Sequence, residues 1–267
     1  MDGIRTIVFD LDGTIYQNFT FHRDYIGFLV EGTDAAPWRD ALIAFAEDVL
    51  AGRRLVMNAF YRSAVLPKTG TPEAYFTLLE SAHAETLTMA DMPPREEYTY
   101  LGDAWAVVTL LGRTLGLLSA ERSSEVYRRT RRKMEADGMR GDPVLRDAIV
   151  RLRECYKTVL LTNSYEQTAL EFLGQLGFNG AFDRMGFSAN KPYGLADALI
   201  AQCADALDDP GSVLAVGDHA FNDLAPLAQR GCRTLWINPY PGVHEAPHDD
   251  AVKTLDQLAA YLRALCA

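Results

Sequence analysis

The chain has 267 residues, and 26 Lys and Arg against 36 Asp and Glu give it a formal charge of −10. An acid excess of this size argues against a general binder of nucleic acid or anionic membrane, which needs a basic face. With 48% apolar residues the composition is that of a globular protein, and no apolar run approaches the roughly 18 residues of a membrane span.

Ile4 to Phe9 is a short β-branched apolar run that ends in Asp10-Leu11-Asp12-Gly13-Thr14. It reads as a buried strand followed by a turn. From about Phe21 to Asp137 the pattern is helical, with no convincing strand. Pro37 opens a helix with Trp38, Ala41, Leu42, Phe45 and Val49 on one stripe, and Thr71-Pro72 opens another with Phe76 and Leu79. Trp105, Val107, Val108, Leu110 and Leu111 form a dense apolar stretch, and Ser119 caps a helix that runs to Gly138. The basic run Arg128, Arg129, Arg131, Arg132 and Lys133 reads as a solvated helix face, supported by the Glu125–Arg129 spacing.

Strands and helices then alternate. Asp142-Pro143 starts a helix with Val144, Leu145, Ala148, Ile149 and Leu152 on one face. Thr158 to Leu161 is a strand, and Ser164-x-x-Gln167 is a capping box opening a helix that Gly177 stops. Met185 to Phe187 is a weak strand, and Leu195, Leu199, Ile200 and Cys203 mark a helix. Val213 to Val216 and Thr234 to Ile237 are further strands, and Thr254-x-x-Gln257 caps a last helix. This alternation predicts an α/β protein with a Rossmann-like parallel sheet and helices on both faces. The expected core is 1–19 and 138–267, with 20–137 as an inserted all-helical domain.

Four signals sit at strand ends, where ligand sites of parallel sheets lie. The first is Asp10 and Asp12, two carboxylates whose repulsion makes sense if a cation or a reacting group offsets it. The second is Thr162-Asn163-Ser164, a hydroxyl and an amide before a helix N-terminus, where anions are favoured; plain N-capping by Ser164 is the simpler reading. The third is Lys191, before Pro192, a compact point charge suited to phosphate. The fourth is Gly217-Asp218-His219-Ala220-Phe221-Asn222-Asp223, in which Asp223 either joins the site or N-caps the next helix. Cys155, Cys203, Cys232 and Cys266 lie far apart, which reads as reduced thiols. With no visible signal peptide at the N-terminus, a cytoplasmic protein is expected.

Together these residues resemble the haloacid dehalogenase superfamily, in its Mg-dependent phosphatase branch with a helical cap inserted after the first motif. Asp10-Leu11-Asp12-Gly13-Thr14 looks like that family's first motif; Thr162, Lys191 and Gly217-Asp218-x-x-x-Asn222-Asp223 look like the second, third and fourth. His219 stands where small or hydroxyl residues are common.

The resemblance implies a phosphoric monoester hydrolase that needs Mg²⁺. Asp10 would be the nucleophile forming an aspartyl-phosphate, and Asp12 the general acid and base. The metal would take Asp10, the backbone carbonyl of Asp12 and Asp218, with Asp223 holding a metal-bound water or orienting Lys191. Thr162, Asn163 and Lys191 would contact the phosphoryl group, and Tyr16 and Asn18 the rest of the substrate. Phe21 and Tyr25 pack the insertion. The dehalogenase branch lacks a carboxylate at the position of Asp12, so phosphoryl chemistry is favoured. The implied partner is a small phosphorylated metabolite, not nucleic acid or membrane, and no oligomeric state is specified. A sugar phosphomutase and a non-catalytic phosphate-binding or regulatory protein on the same scaffold are the alternatives.

Overall fold

A computed structural model of the chain describes residues 3–68, 70–241 and 246–266. The chain divides into two compact units: residues 1–17, 139–239 and 246–267 form one, and 18–138 with 240–245 form the other.

The first unit opens with β1 (Thr6–Phe9), whose four residues are all buried. Such a run, apolar on both faces, can only sit inside a sheet covered on both sides. The chain then enters the second unit. Its helices are α1 (Phe21–Val30), α2 (Arg39–Leu50), α3 (Pro72–Glu80), α4 (Ala104–Thr114) and α5 (Ala120–Ala136). Between them lie β2 (Phe60–Arg62), which precedes α3, and β3 (Tyr98–Tyr100), which precedes α4. These two strands pair antiparallel, Phe60 opposite Tyr100 and Arg62 opposite Tyr98, so the insertion is not all helical. Three-residue strands are too short to show a period of two, and their aromatic residues earn their place through cross-strand packing, as in the Phe60–Tyr100 pair with ring centroids 5.0 Å apart.

Inside this unit the sequence signals map closely. Thr71 accepts from the Ala74 N–H and Ser119 from the Arg122 N–H, capping α3 and α5. Trp105 packs face to face on Phe21, centroids 4.0 Å apart, and meets Tyr25 edge-on. The basic face of α5 is split. Arg129 pairs with Glu31 at 2.6 Å and lies over the Phe28 ring. Arg131, expected in solvent, is only 3% exposed. Its Nε donates to the Tyr127 hydroxyl and its guanidinium lies against the Trp105 and Tyr127 rings. Aromatic faces attract a guanidinium and its planar group tolerates burial.

The chain returns to the first unit through α6 (Pro143–Leu152), β4 (Lys157–Leu161), α7 (Glu166–Leu176), β5 (Arg184–Gly186), α8 (Leu195–Gln202), β6 (Val213–Gly217), α9 (Ala225–Ala228), β7 (Arg233–Ile237), β8 (Asp250–Val252) and α10 (Leu255–Leu265). Asp142 and Thr254 cap α6 and α10 as expected. Val144, placed on the buried face of α6 by its pattern, is exposed; Leu145, Ala148, Ile149 and Leu152 carry that face. Strand β8 pairs only three residues with β7 and has no apolar run to announce it.

All six strands of this sheet are parallel, in the order β5-β4-β1-β6-β7-β8. The architecture is a Rossmann-like α/β core. The chain winds outward from β1 in one direction through β4 and β5, then in the other through β6, β7 and β8. The order therefore reverses beside β1, and the carboxyl ends of β4, β1 and β6 border the crevice where ligands bind in open parallel sheets. The four cysteines are free thiols. Among the described residues no helix is long and apolar enough to cross a membrane.

Candidate active site at the carboxyl end of the sheet

Phe9 pairs with Leu160 of β4 and Val216 of β6, so the residues just past these three strands emerge at one level. Asp10 follows β1 and its N–H donates to the Val216 carbonyl at 3.0 Å. Asp218 follows β6, and Thr162 follows β4. Gly13 shows how tightly the first loop meets the fourth: at its φ of +88°, an added Cβ would come 2.0 Å from the Asp218 carboxylate. Only glycine is compatible with that approach.

Lys191 arrives from the loop after β5. That loop is fastened to the end of β4 by three bonds: Ser188 N–H to Ser164 O, Ala189 N–H to Thr162 O, and Lys191 N–H to Asn163 Oδ1 at 2.7 Å. Asn163 also donates to the Lys191 carbonyl at 3.3 Å. Expected to touch phosphate, the Asn163 amide instead clamps the backbone of Lys191. The lysine ammonium, 3% exposed, bonds Asp10 Oδ1 at 2.5 Å and Asp223 Oδ1 at 2.6 Å.

Asp223 does not cap a helix. It lies within a single π-helical turn, Ala220–Leu224, whose N-cap is His219; the His219 side chain accepts from the Asn222 N–H. Both Asp223 oxygens are engaged, Oδ1 by Lys191 and Oδ2 by the His219 N–H at 3.0 Å. The unusual His219 thus shapes the turn that delivers Asp223. Beside it, the Trp236 indole holds the Asp218 carbonyl at 2.8 Å.

Asp10, Asp218 and Asp223 each offer a carboxylate oxygen, all within 4.8 Å of one another, and all three are under 9% exposed. Burial, reinforced by the Asp223 carboxylate, raises the Asp10 pKa well above the ordinary carboxylate range, against the pull of Lys191. Burial pulls the Lys191 ammonium down, but Asp10 and Asp223 outweigh it and hold it above its ordinary value. Three buried carboxylates facing one ammonium leave negative charge in excess, and such charge is costly unless compensated. A hard divalent cation, which prefers oxygen ligands, suits this donor set.

The Asp12 side chain is not part of that cluster. Its Oδ1 accepts from the Tyr16 hydroxyl and its Oδ2 from the Ser164 hydroxyl at 3.3 Å. Tyr16, read from sequence as a substrate contact, is 3% exposed and packs edge-on against Phe172 of α7. Ser164 is not the N-cap of α7; that position is Tyr165, with no side-chain cap bond. Thr162 is buried, and its hydroxyl oxygen accepts from the Ser164 N–H at 3.1 Å. Asn18 belongs to the other unit, where its Oδ1 accepts from the Thr20 and Phe21 N–H groups at the entry to α1.

The sequence pattern of the haloacid dehalogenase-like hydrolases matches residues 4–231. The chain belongs to this family. No curated protein sequence matches this hydrolase at a significant level. Solved structures resemble it over nearly its whole length. The hydrolase YfnB of Bacillus subtilis, in a magnesium-bound form, is 16% identical with a TM-score of 0.54, covering 97% of this chain and 98% of its own. A haloacid dehalogenase-like hydrolase of Streptococcus pneumoniae is 17% identical with a TM-score of 0.52, covering 98% and 99%. An L-2-haloacid dehalogenase is 18% identical with a TM-score of 0.51, again covering 98% and 99%. At these identities the likeness establishes the fold.

Proposed function

We propose that this hydrolase is a Mg²⁺-dependent phosphatase of a small phosphorylated metabolite, acting through an aspartyl-phosphate on Asp10. The observation that carries the reading is the pairing of a buried Asp10, set among Lys191, Asp218 and Asp223, with a second carboxylate two residues on that is held apart from the cluster. A halide leaves without a proton, so a dehalogenase has no use for Asp12; an ester oxygen needs one.

Asp10 and Asp218 would hold the metal together with the Asp12 backbone carbonyl, and Asp223, with both oxygens engaged, would act through Lys191 or a metal-bound water. Bound there, Mg²⁺ would add positive charge beside the phosphoryl oxygens and relieve their repulsion with Asp10. YfnB, of the same fold, is described as bound to magnesium.

An Asp10 carboxylate oxygen forms a bond to phosphorus as the ester P–O bond breaks. The electron pair of that bond stays on the ester oxygen, which takes a proton from Asp12. Asp12, now ionised, accepts a proton from water as the water oxygen attacks phosphorus, releasing inorganic phosphate and regenerating the Asp10 carboxylate. Lys191 neutralises the phosphoryl charge. The Thr162 oxygen already accepts a backbone bond, which leaves its O–H as a donor to a phosphoryl oxygen. The fold hosts many substrates, so the chemistry is assigned from the site and not from the fold.

The test is phosphate release from a panel of phosphorylated metabolites, with and without Mg²⁺, using Asp10→Asn as the blank. Mg²⁺-dependent release that disappears in the blank is expected. Full release from Asp10→Asn would refute the nucleophile, and isomer formation outpacing phosphate release would make the protein a mutase.

A further inference from the structure

The proposed reaction asks one group, Asp12, to give a proton and then take one, and the first unit holds that group on two sides. An Asp carboxyl turns easily about its last torsion, because that torsion has only a broad preference. Here each oxygen of Asp12 accepts from a different hydroxyl: Oδ1 from Tyr16 and Oδ2 from Ser164. The two donors come from different loops, Tyr16 from the loop after β1 and Ser164 from the loop after β4.

Tyr16 is the stiffer of the two. It is 3% exposed, its ring packs edge-on against Phe172 with centroids 4.4 Å apart, and its carbonyl accepts the Gly13 N–H at 3.1 Å. Asp12 and Tyr16 also form an isolated β-bridge, so the loop folds back on itself and carries the hydroxyl to the carboxylate. The Ser164 bond is longer, at 3.3 Å.

We infer that Tyr16, assisted by Ser164, is the positioning residue for the acid–base step, fixing the plane of the Asp12 carboxyl so that its proton reaches the departing ester oxygen. This rests on the phosphatase reading and adds to it a role for two residues outside the charged cluster. In the step concerned, the Asp10 oxygen–phosphorus bond forms, the ester P–O bond breaks with its electron pair on the ester oxygen, and the Asp12 proton moves to that oxygen. The proton matters when an alkoxide must leave and matters little when a nitrophenolate leaves.

The test compares kcat/KM for p-nitrophenyl phosphate with kcat/KM for an alkyl phosphate that the wild type accepts. This ratio of rates ends at leaving-group departure and does not include the later attack by water. Tyr16→Phe keeps the ring and its packing on Phe172. It is expected to lower kcat/KM for the alkyl ester about tenfold more than for the aryl ester, part of the 10²–10⁴ that a positioned acid contributes. Ser164→Ala is expected to act in the same direction by about two- to threefold, its bond being the longer one. Asp12→Asn sets the ceiling, and adding Tyr16→Phe to it is expected to cost nothing more, since the two act through one proton.

Equal losses on both esters, or additive losses in the double variant, would overturn the positioning role while leaving the phosphatase intact. A wild type that releases phosphate from neither ester would overturn the phosphatase reading and the positioning role with it. Should Tyr16→Phe fail to fold, Ser164→Ala and its double variant with Asp12→Asn decide the matter on the same two criteria.

Discussion

Asp10 and Asp12 lie two residues apart in one loop and live in opposite surroundings. Asp10 is buried and bonded to an ammonium, with two further carboxylates close by. Asp12 is half-buried and bonded to two neutral hydroxyls. The contrast separates two ways of preparing a carboxylate. One is electrostatic: Lys191 offsets the charge of a buried anion, and in the proposed mechanism a divalent ion would complete that compensation and leave the anion ready to attack. The other is directional: Tyr16 and Ser164 hold a group that exchanges a proton in the proposed mechanism.

Changes on the Asp10 side should be severe and depend on charge. Asp10→Asn keeps the shape and removes the proposed nucleophile, and should lower phosphate release by more than about a thousandfold. Lys191→Met leaves Asp10 and Asp223 facing each other without their ammonium. It should destabilise the fold by about 3–5 kcal/mol in denaturant unfolding, besides removing activity. Asp218→Asn should preserve the fold and raise the Mg²⁺ concentration for half-maximal activity by more than about tenfold, since a hard cation loses a charged oxygen. Asn163→Ala removes the two bonds that clamp the Lys191 backbone and should cost about 1–2 kcal/mol of stability. A milder loss of turnover than in Lys191→Met should accompany it, read as a lower kcat with little change in KM. An Asn163 variant as inactive as Lys191→Met would show that the amide touches substrate after all.

The contrast also marks what the amino-acid sequence could show. Strands β1, β4 and β6 are continuous apolar runs, so the frame was legible from hydrophobic pattern and chain order, and the acids Asp10 and Asp218 stood out at two of the strand ends as candidates; Thr162, at the third, gained weight only beside the other motifs. Lys191 carries no local signal and was found through its company. The pattern failed where partners are set by backbone turns. The Ser164-x-x-Gln167 spacing resembles a capping box, but α7 starts one residue later and the serine hydroxyl is turned to Asp12, 152 positions earlier in the chain. Tyr16 reads as a substrate contact, and nothing in the spelling shows the loop folding back to place its hydroxyl on Asp12. Asp223 could not be assigned between cap and site, because a single π-helical turn with a histidine cap has no spelling of its own. Strands β2, β3 and β8 are three residues each, shorter than the window in which alternation can be seen.

The most direct measurement is to mix the protein with Mg²⁺ and a good substrate, quench in acid during turnover, and locate the phosphoryl group by peptide mass spectrometry. The account predicts one phosphoryl group on Asp10, formed only with Mg²⁺ and absent from Asp10→Asn. Phosphate release in turnover with the label on any other residue, or with Asp10 unmodified throughout, would contradict it.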